Sequence, residues 1–142
     1  ESLDVGLSPE RIGELEAKEQ FLLTLANDGF GKRSSSYDYR CMNRGGQGVT
    51  AQELGRKGSD DAQLVRSFCI EEDDQIMIVT DGGLLIRCPV RNIRIVSRSS
   101  RGVTVIKPRE DEKVVSVERI LESDDDETDV DTTEASASDT EE

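Results

Sequence analysis

The sequence predicts an all-β protein made of two copies of one four-stranded antiparallel unit, followed by an acidic extension that does not fold. Three observations carry this reading: an internal repeat at an offset of 54 residues, short β-branched runs ended by glycine turns, and a charge distribution that breaks near residue 121.

The repeat comes first. Residues 21–51 laid over 75–105 without a gap give seven identities: Gly29 with Gly83, Arg33 with Arg87, Arg40 with Arg94, Arg44 with Arg98, Gly48 with Gly102, Val49 with Val103, and Thr50 with Thr104. Leu22, Leu23 and Leu25 fall on Ile76, Met77 and Val79, so the first strand of each unit is apolar in both. A second match pairs Leu64–Ile70 with Val114–Ile120 after a four-residue gap. The unit therefore runs about fifty residues, a period typical of propeller blades. The boundaries that follow are 1–19 for the end of a preceding blade and a linker, 20–70 and 71–121 for the two blades, and 122–142 for the tail.

Each strand has a local reason. Gln75 to Thr80 is a β-branched apolar run ended by Asp81-Gly82-Gly83, which suits a buried strand and a hairpin whose central residues reach positive φ. The partner is Leu84 to Cys88, stopped by Pro89, with further strands over Gly102–Ile106 and Lys113–Ile120. Ser2-Leu3-Asp4-Val5 reads as the end of a preceding strand. Ser8-Pro9-Glu10 has the chemistry of a helix start, yet Gly13 and weak periodicity leave a blade-to-blade loop equally open. Two such units cannot close a ring or bury their end faces, so they read as a fragment of a larger array.

The formal charge of −13 is unevenly distributed. Residues 122–142 hold eleven Asp or Glu and no Lys or Arg, leaving twenty acids against eighteen bases in the rest. The stretch from Gly29 to Lys107 is net +4. A mildly basic body thus carries an acidic appendage, and the tail has too little apolar surface to offset its ordering entropy, which makes it disordered. Cys41, Cys69 and Cys88 have no metal-ligand spacing and read as reduced thiols of a cytoplasmic protein. No apolar run is long enough to span a bilayer, so no membrane partner is expected.

Histidine is absent, which removes the commonest general base and zinc ligand. The Asp124–Glu127 run lacks the Gly and Glu that a calcium loop needs at its sixth and twelfth positions, where Asp129 and Ala135 stand. Arg44-Gly45-Gly46-Gln47-Gly48 lacks the Lys-Ser/Thr context of a nucleotide loop and stays open between a backbone anion cradle and a plain turn. Tyr37 and Tyr39 have no surrounding cluster that would make either a nucleophile. The arginines are the remaining signal. If Arg91–Arg98 is extended, Arg94 and Arg98 share one face about 13 Å apart at ~3.3 Å per residue, with Ile93 and Ile95 on the other. Guanidinium forks at that spacing, repeated at Arg40 and Arg44, suit phosphates along a groove. The alternative is that they are solvated or pair with Asp38, Glu71 or Asp74.

Gly29-Phe30-Gly31-Lys32-Arg33, Tyr37-Asp38-Tyr39 and Arg44-Gly45-Gly46-Gln47-Gly48-Val49 together resemble the penultimate blade of the gyrase A C-terminal domain family. Asp74–Asp81, Arg94–Arg98, Arg101-Gly102-Val103 and Glu112–Ser116 resemble its final blade, so the likeness spans most of residues 20–121. The resemblance implies a six-bladed β-pinwheel whose neighbouring blades exchange strands and whose basic rim wraps double-stranded DNA. It implies a non-catalytic part of an ATP-hydrolysing type II topoisomerase that supports negative supercoiling. The catalytic residues, Mg and ATP would belong elsewhere in an A2B2 assembly with the B subunit and a second A subunit, leaving no cofactor or metal here. The DNA-binding candidates are then Lys32, Arg33, Arg40, Arg44, Arg87, Arg94, Arg98 and Arg101. The family's hallmark Gln-Arg-Arg-Gly-Gly-Lys-Gly loop is degenerate in Met42–Gly48, where Asn43 and Gln47 replace an arginine and the lysine, so the intact loop is expected upstream of Glu1. The alternatives are the C-terminal domain of the topoisomerase IV A subunit and a propeller-type protein-interaction module.

Eleven carboxylates beside a basic body make the tail a competitor for DNA. Truncation after Leu121 is expected to tighten DNA binding most at low salt, where screening is weakest. Equal affinity with and without the tail across a salt series would refute this.

Overall fold

The structure is a computed structural model that describes residues 6–55 and 61–120; the strand end expected at Ser2–Val5 and the tail lie outside them. Helix α1 (Pro9–Lys18) forms where the sequence leaves the linker open. The Ser8 side chain accepts from the Arg11 amide at 3.3 Å, and Pro9 occupies the first turn, where no amide is needed.

The first blade contains β1 (Phe21–Ala26), β2 (Phe30–Ser35) and β3 (Leu64–Ile70). The second contains β4 (Gln75–Thr80), β5 (Leu85–Pro89) and β7 (Val114–Ile120). The short strand β6 (Val103–Thr104) belongs to the second unit in sequence but pairs with β2 of the first, Phe30 against Thr104 and Gly31 against Val103. The sheets accordingly run β3-β1-β2-β6 and β5-β4-β7, all antiparallel. Four strands per blade holds for the first blade because its neighbour lends one; the second has three among the described residues. Both sheets share one core, from Leu23 and Leu25 through Ile70, Ile76 and Ile78 to Val90, Ile93, Val114 and Val117.

Two sequence expectations change. Asp81 and Gly82 do not reach positive φ; the residue that does is Gly83, at 86°, matched by Gly29 at 86° in the first unit. The Gly83 amide donates to the Thr80 carbonyl at 3.1 Å and the Thr80 amide to the Leu84 carbonyl at 2.9 Å, the pattern of a three-residue hairpin with a left-handed last position. Arg91–Arg98 is not a continuous strand either. A 3₁₀ turn over Val90–Asn92 buries Ile93 in the core, and Ile95 is exposed in an isolated parallel bridge to Arg33. Alternation fails because the segment turns twice to cross from the second blade back to the first, the second time at Ser97–Ser100.

What holds the crossing is a pair of buried cations on β2. Lys32 is fully buried, and its Nζ donates to the Ser97 carbonyl at 2.8 Å and to the Arg98 carbonyl. Arg33 is 6% exposed; its Nε donates to the Ile93 carbonyl at 2.6 Å, one terminal nitrogen to the Arg91 carbonyl at 3.3 Å, and the other pairs with Glu72. Its backbone joins in, the Arg33 amide donating to the Arg94 carbonyl and the Val96 amide to the Arg33 carbonyl, both at 3.0 Å. Lys32 and Arg33, both expected on the DNA-binding surface, are instead buried, with donors on carbonyls inside the molecule and, for Arg33, on the Glu72 carboxylate. Burial, reinforced by the Arg98 charge and opposed by Asp38, holds the Lys32 ammonium down at about 8 from an ordinary 10.5.

Ile78→Ala is expected to cost about 2–5 kcal/mol, against about 0.5 kcal/mol or less for Val115→Ala on the exposed face of β7, read from denaturant midpoints. Between pH 8 and 10.5 the unfolded chain binds the Lys32 proton that the folded chain has released, so this residue makes stability rise with pH across that window. Lys32→Met should lack this component; a wild-type-minus-variant difference that stays flat from pH 7 to 10.5 would contradict the assignment.

Candidate nucleic-acid interface

With the carbonyls of Arg91, Ile93, Arg94, Ser97 and Arg98 turned inward to Lys32 and Arg33, the side chains of Arg91 and Arg94 are left on the outside. Both side chains are exposed and make no hydrogen bond or ion pair among the described residues, and the same is true of Arg40 and Arg44. Such guanidinium groups keep all their donors for an incoming anion.

The remaining candidates are partly committed. Arg98 is half-buried and donates to the Thr50 carbonyl. Arg101 lies 3.8 Å from the Phe30 ring centroid and 3.4 Å from an Asp28 carboxylate oxygen, with its Nε buried and without a partner. Arg87 is exposed on β5, with its Nε on the Gln75 side-chain oxygen.

The pairing alternative fails for the acids that sequence singled out. Asp74 is buried and taken by Arg119 at 2.6 Å, while its carboxylate also accepts from the Glu71 amide at 2.7 Å. Neither Asp38 nor Glu71 forms an ion pair with Arg40, Arg44, Arg94 or Arg98. The acid that does capture an inter-unit arginine is Glu72, on Arg33.

The arginine loop of the first unit is tied to the second. The Gln52 side-chain amide donates to the Phe30 carbonyl at 3.2 Å and the Arg101 carbonyl at 3.0 Å, and the Glu53 backbone amide reaches the Ser100 carbonyl at 3.4 Å. These bonds lay Thr50–Glu53 along Arg98–Arg101. The glycine loop within it resolves as a turn, with the Gly46 amide on the Asn43 carbonyl at 3.3 Å and Gly45 at a φ of 84°.

Arg91 escaped the sequence reading because Tyr37 stands at its counterpart position, so register did not flag it. Gln52, 7% exposed, was missed for a related reason: a lone polar residue in a loop carries no periodic signal. The three cysteines are free thiols; burial pushes that of Cys88 up. No helix among the described residues is long and apolar enough to cross a membrane, and no group of three or more Cys, Asp or Glu there could hold a metal ion.

A family model described as the DNA gyrase C-terminal domain, beta-propeller, matches residues 20–61 and 74–120. The DNA gyrase A subunit of Granulibacter bethesdensis is 47% identical over 120 residues, which is 84% of this chain and 13% of that protein. Its counterpart in Rickettsia bellii is 41% identical over 126 residues, 89% of this chain and 14% of that protein. The chain thus spans about one-seventh or less of the length of these relatives. Among solved structures, a DNA gyrase A C-terminal domain superposes with a TM-score of 0.64 at 23% identity, covering 73% of this chain and 34% of that one. The C-terminal domain of DNA topoisomerase IV superposes with a TM-score of 0.63 at 21% identity, covering 72% and 31%; both likenesses speak to fold alone. With its two sheets, its lent strand and its matched residues spread over both blades, the chain belongs to the β-propeller family of DNA gyrase C-terminal domains.

Proposed function

We propose that this chain is a DNA-binding and DNA-wrapping module of the gyrase A subunit, and that Arg40, Arg44, Arg91, Arg94 and Arg98 hold phosphates of the double helix on its surface. The observation that carries the reading is the set of unpaired, exposed guanidinium groups at Arg40, Arg44, Arg91 and Arg94, two of them on backbone anchored from inside by Lys32 and Arg33. Such contacts read charge and spacing, so binding is insensitive to base sequence and sensitive to salt. A wrapping surface needs that combination, since the duplex must be bent over protein at any sequence.

In the whole protein the module presents wrapped DNA to a cleavage site carried elsewhere. Negative supercoiling, ATP hydrolysis and its Mg belong to the assembly of two A and two B subunits in the cytoplasm, and no residue here takes part in strand cleavage. Gyrase is preferred to topoisomerase IV because the curated relatives at 36–47% identity are gyrase A subunits, whereas the topoisomerase IV likeness is one of fold.

Replacing Arg91 and Arg94 together with alanine is expected to lower DNA affinity and to flatten the slope of log K against log salt by about 0.9 per lost phosphate contact. Thermal midpoints should hardly move, because neither side chain is packed. An unchanged salt slope, measured by fluorescence anisotropy from low to physiological salt, would sink the interface.

A further inference from the structure

The loop that carries Arg40 and Arg44 is held to the body of the protein by one buried side chain. From Arg40 to Gly55 no helix or strand forms, and Gln52 is the only buried residue. Before the loop begins, the Tyr39 hydroxyl lies 3.0 Å from the Ser34 hydroxyl. From there on, its hydrogen bonds to the rest of the chain, among the described residues, are made at Thr50, Gln52 and Glu53. Arg40 and Arg44 thus stand on exposed backbone fastened only at its two ends.

Of the three ties at the far end, Gln52 alone is shielded from water and reaches both blades. Its Nε2 donates to the Phe30 carbonyl of β2 and to the Arg101 carbonyl of the crossing segment, at 3.2 and 3.0 Å. Thr50 and Glu53 are exposed, the first accepting from Arg98 and the second donating to the Ser100 carbonyl. A buried hydrogen bond is the costlier one to lose, because no water replaces it. The Gln52 Oε1 atom is buried and accepts nothing, and turning the amide over would set that oxygen against both carbonyls, so the two carbonyls fix which atom donates. Packing by itself does not call for an amide here. One step beyond the aligned repeat, the same offset sets Gln52 over Ile106, which is 5% exposed and part of the apolar core. A glutamine where the other unit keeps a core isoleucine is costly unless its polar atoms are used, and here the two donors are spent on one carbonyl from each unit.

We propose that Gln52 is a positioning residue for DNA binding: it closes the Arg40–Arg44 loop onto the crossing segment, so that these two arginines meet phosphate from a fixed backbone beside Arg98. The proposal rests on the reading of Arg40 and Arg44 as phosphate contacts. Gln52 is buried and stays clear of the duplex; it removes backbone freedom that the loop would otherwise lose on binding. Gln52→Met keeps the length of the side chain and loses both donors. Gln52→Glu sets a carboxylate against two carbonyl oxygens, which leaves the same carbonyls without a donor and adds repulsion.

The test is a double-mutant cycle on the full-length protein, with a short linear duplex as the probe and fluorescence anisotropy as the readout. Gln52→Met should weaken binding by about threefold to tenfold, and Gln52→Glu by at least as much. In a background of Arg40→Ala with Arg44→Ala the same change should cost less than about twofold, whereas in a background of Arg91→Ala with Arg94→Ala it should keep its full effect. Hydrogen exchange supplies a readout that involves no DNA: the Glu53 amide should be protected in the unsubstituted protein and exchange about tenfold faster in Gln52→Met. An equal loss of affinity in both backgrounds, or a loss in neither, overturns the positioning role and leaves the interface standing. So does a Glu53 amide that exchanges as fast as that of Gln47 in the unsubstituted protein, a result that depends on the folding of no variant. If Arg40→Ala with Arg44→Ala leaves both affinity and salt slope unchanged, the loop is no phosphate contact, and the interface reading at that loop falls together with this proposal.

Discussion

The fold turns on two cations that a sequence-level view places on the surface. Lys32 and Arg33 lie in β2, whose residues are largely polar, and four of them from Gly31 to Ser34 are buried because the neighbouring blade covers the outer edge of the strand. Burying an ammonium and a guanidinium is costly unless every donor is used. Here the carbonyls of Ile93, Arg91, Ser97 and Arg98, with the Glu72 carboxylate, supply five acceptors to the two cations. The same bonds satisfy a segment that crosses between sheets and so has no ladder of its own for most of its length. Removing the cations would leave those carbonyls without partners as well as empty space, so the crossing and the shape of the second blade depend on them together.

This constraint links folding to the proposed activity. A segment pinned through its carbonyls has its side chains directed away from the pinning residues, and Arg91 and Arg94 are left unpaired on the surface. Surface arginines on a free loop would lose conformational entropy on meeting phosphate; on a pinned backbone much of that cost is already met on folding. The cation–π stack of Arg101 on Phe30 and the Gln52 amide extend the anchoring to the start of β6 and to the loop after Thr50. Buried polar chemistry between blades thus organises exposed charge outside them.

The strand exchange also explains why the repeat reads as it does. Within one blade many apolar side chains fill a core, so β1 and β4 share character rather than identity, Leu22 to Leu25 against Ile76 to Val79. At the junction two backbones cross within contact distance, and only glycine meets the geometry at Gly29 and Gly102. Identity concentrates where shape tolerates no substitute.

From the sequence alone came the all-β class, the period of the unit, the positions of β1, β3, β4, β5 and β7, and the family. These depend on local apolar runs, glycine turns and self-similarity, all of which are written in neighbouring residues. The sequence also marked Arg40, Arg44, Arg94 and Arg98 as a repeated set. Only the tertiary structure decided that Lys32 and Arg33 are internal, that Ile93 and Ile95 part company, that Arg91 joins the exposed set and that β6 serves the other blade. Each of those depends on which strand covers the outer edge of β2, a contact between residues more than sixty positions apart, and charge and periodicity read along the chain carry no information about it.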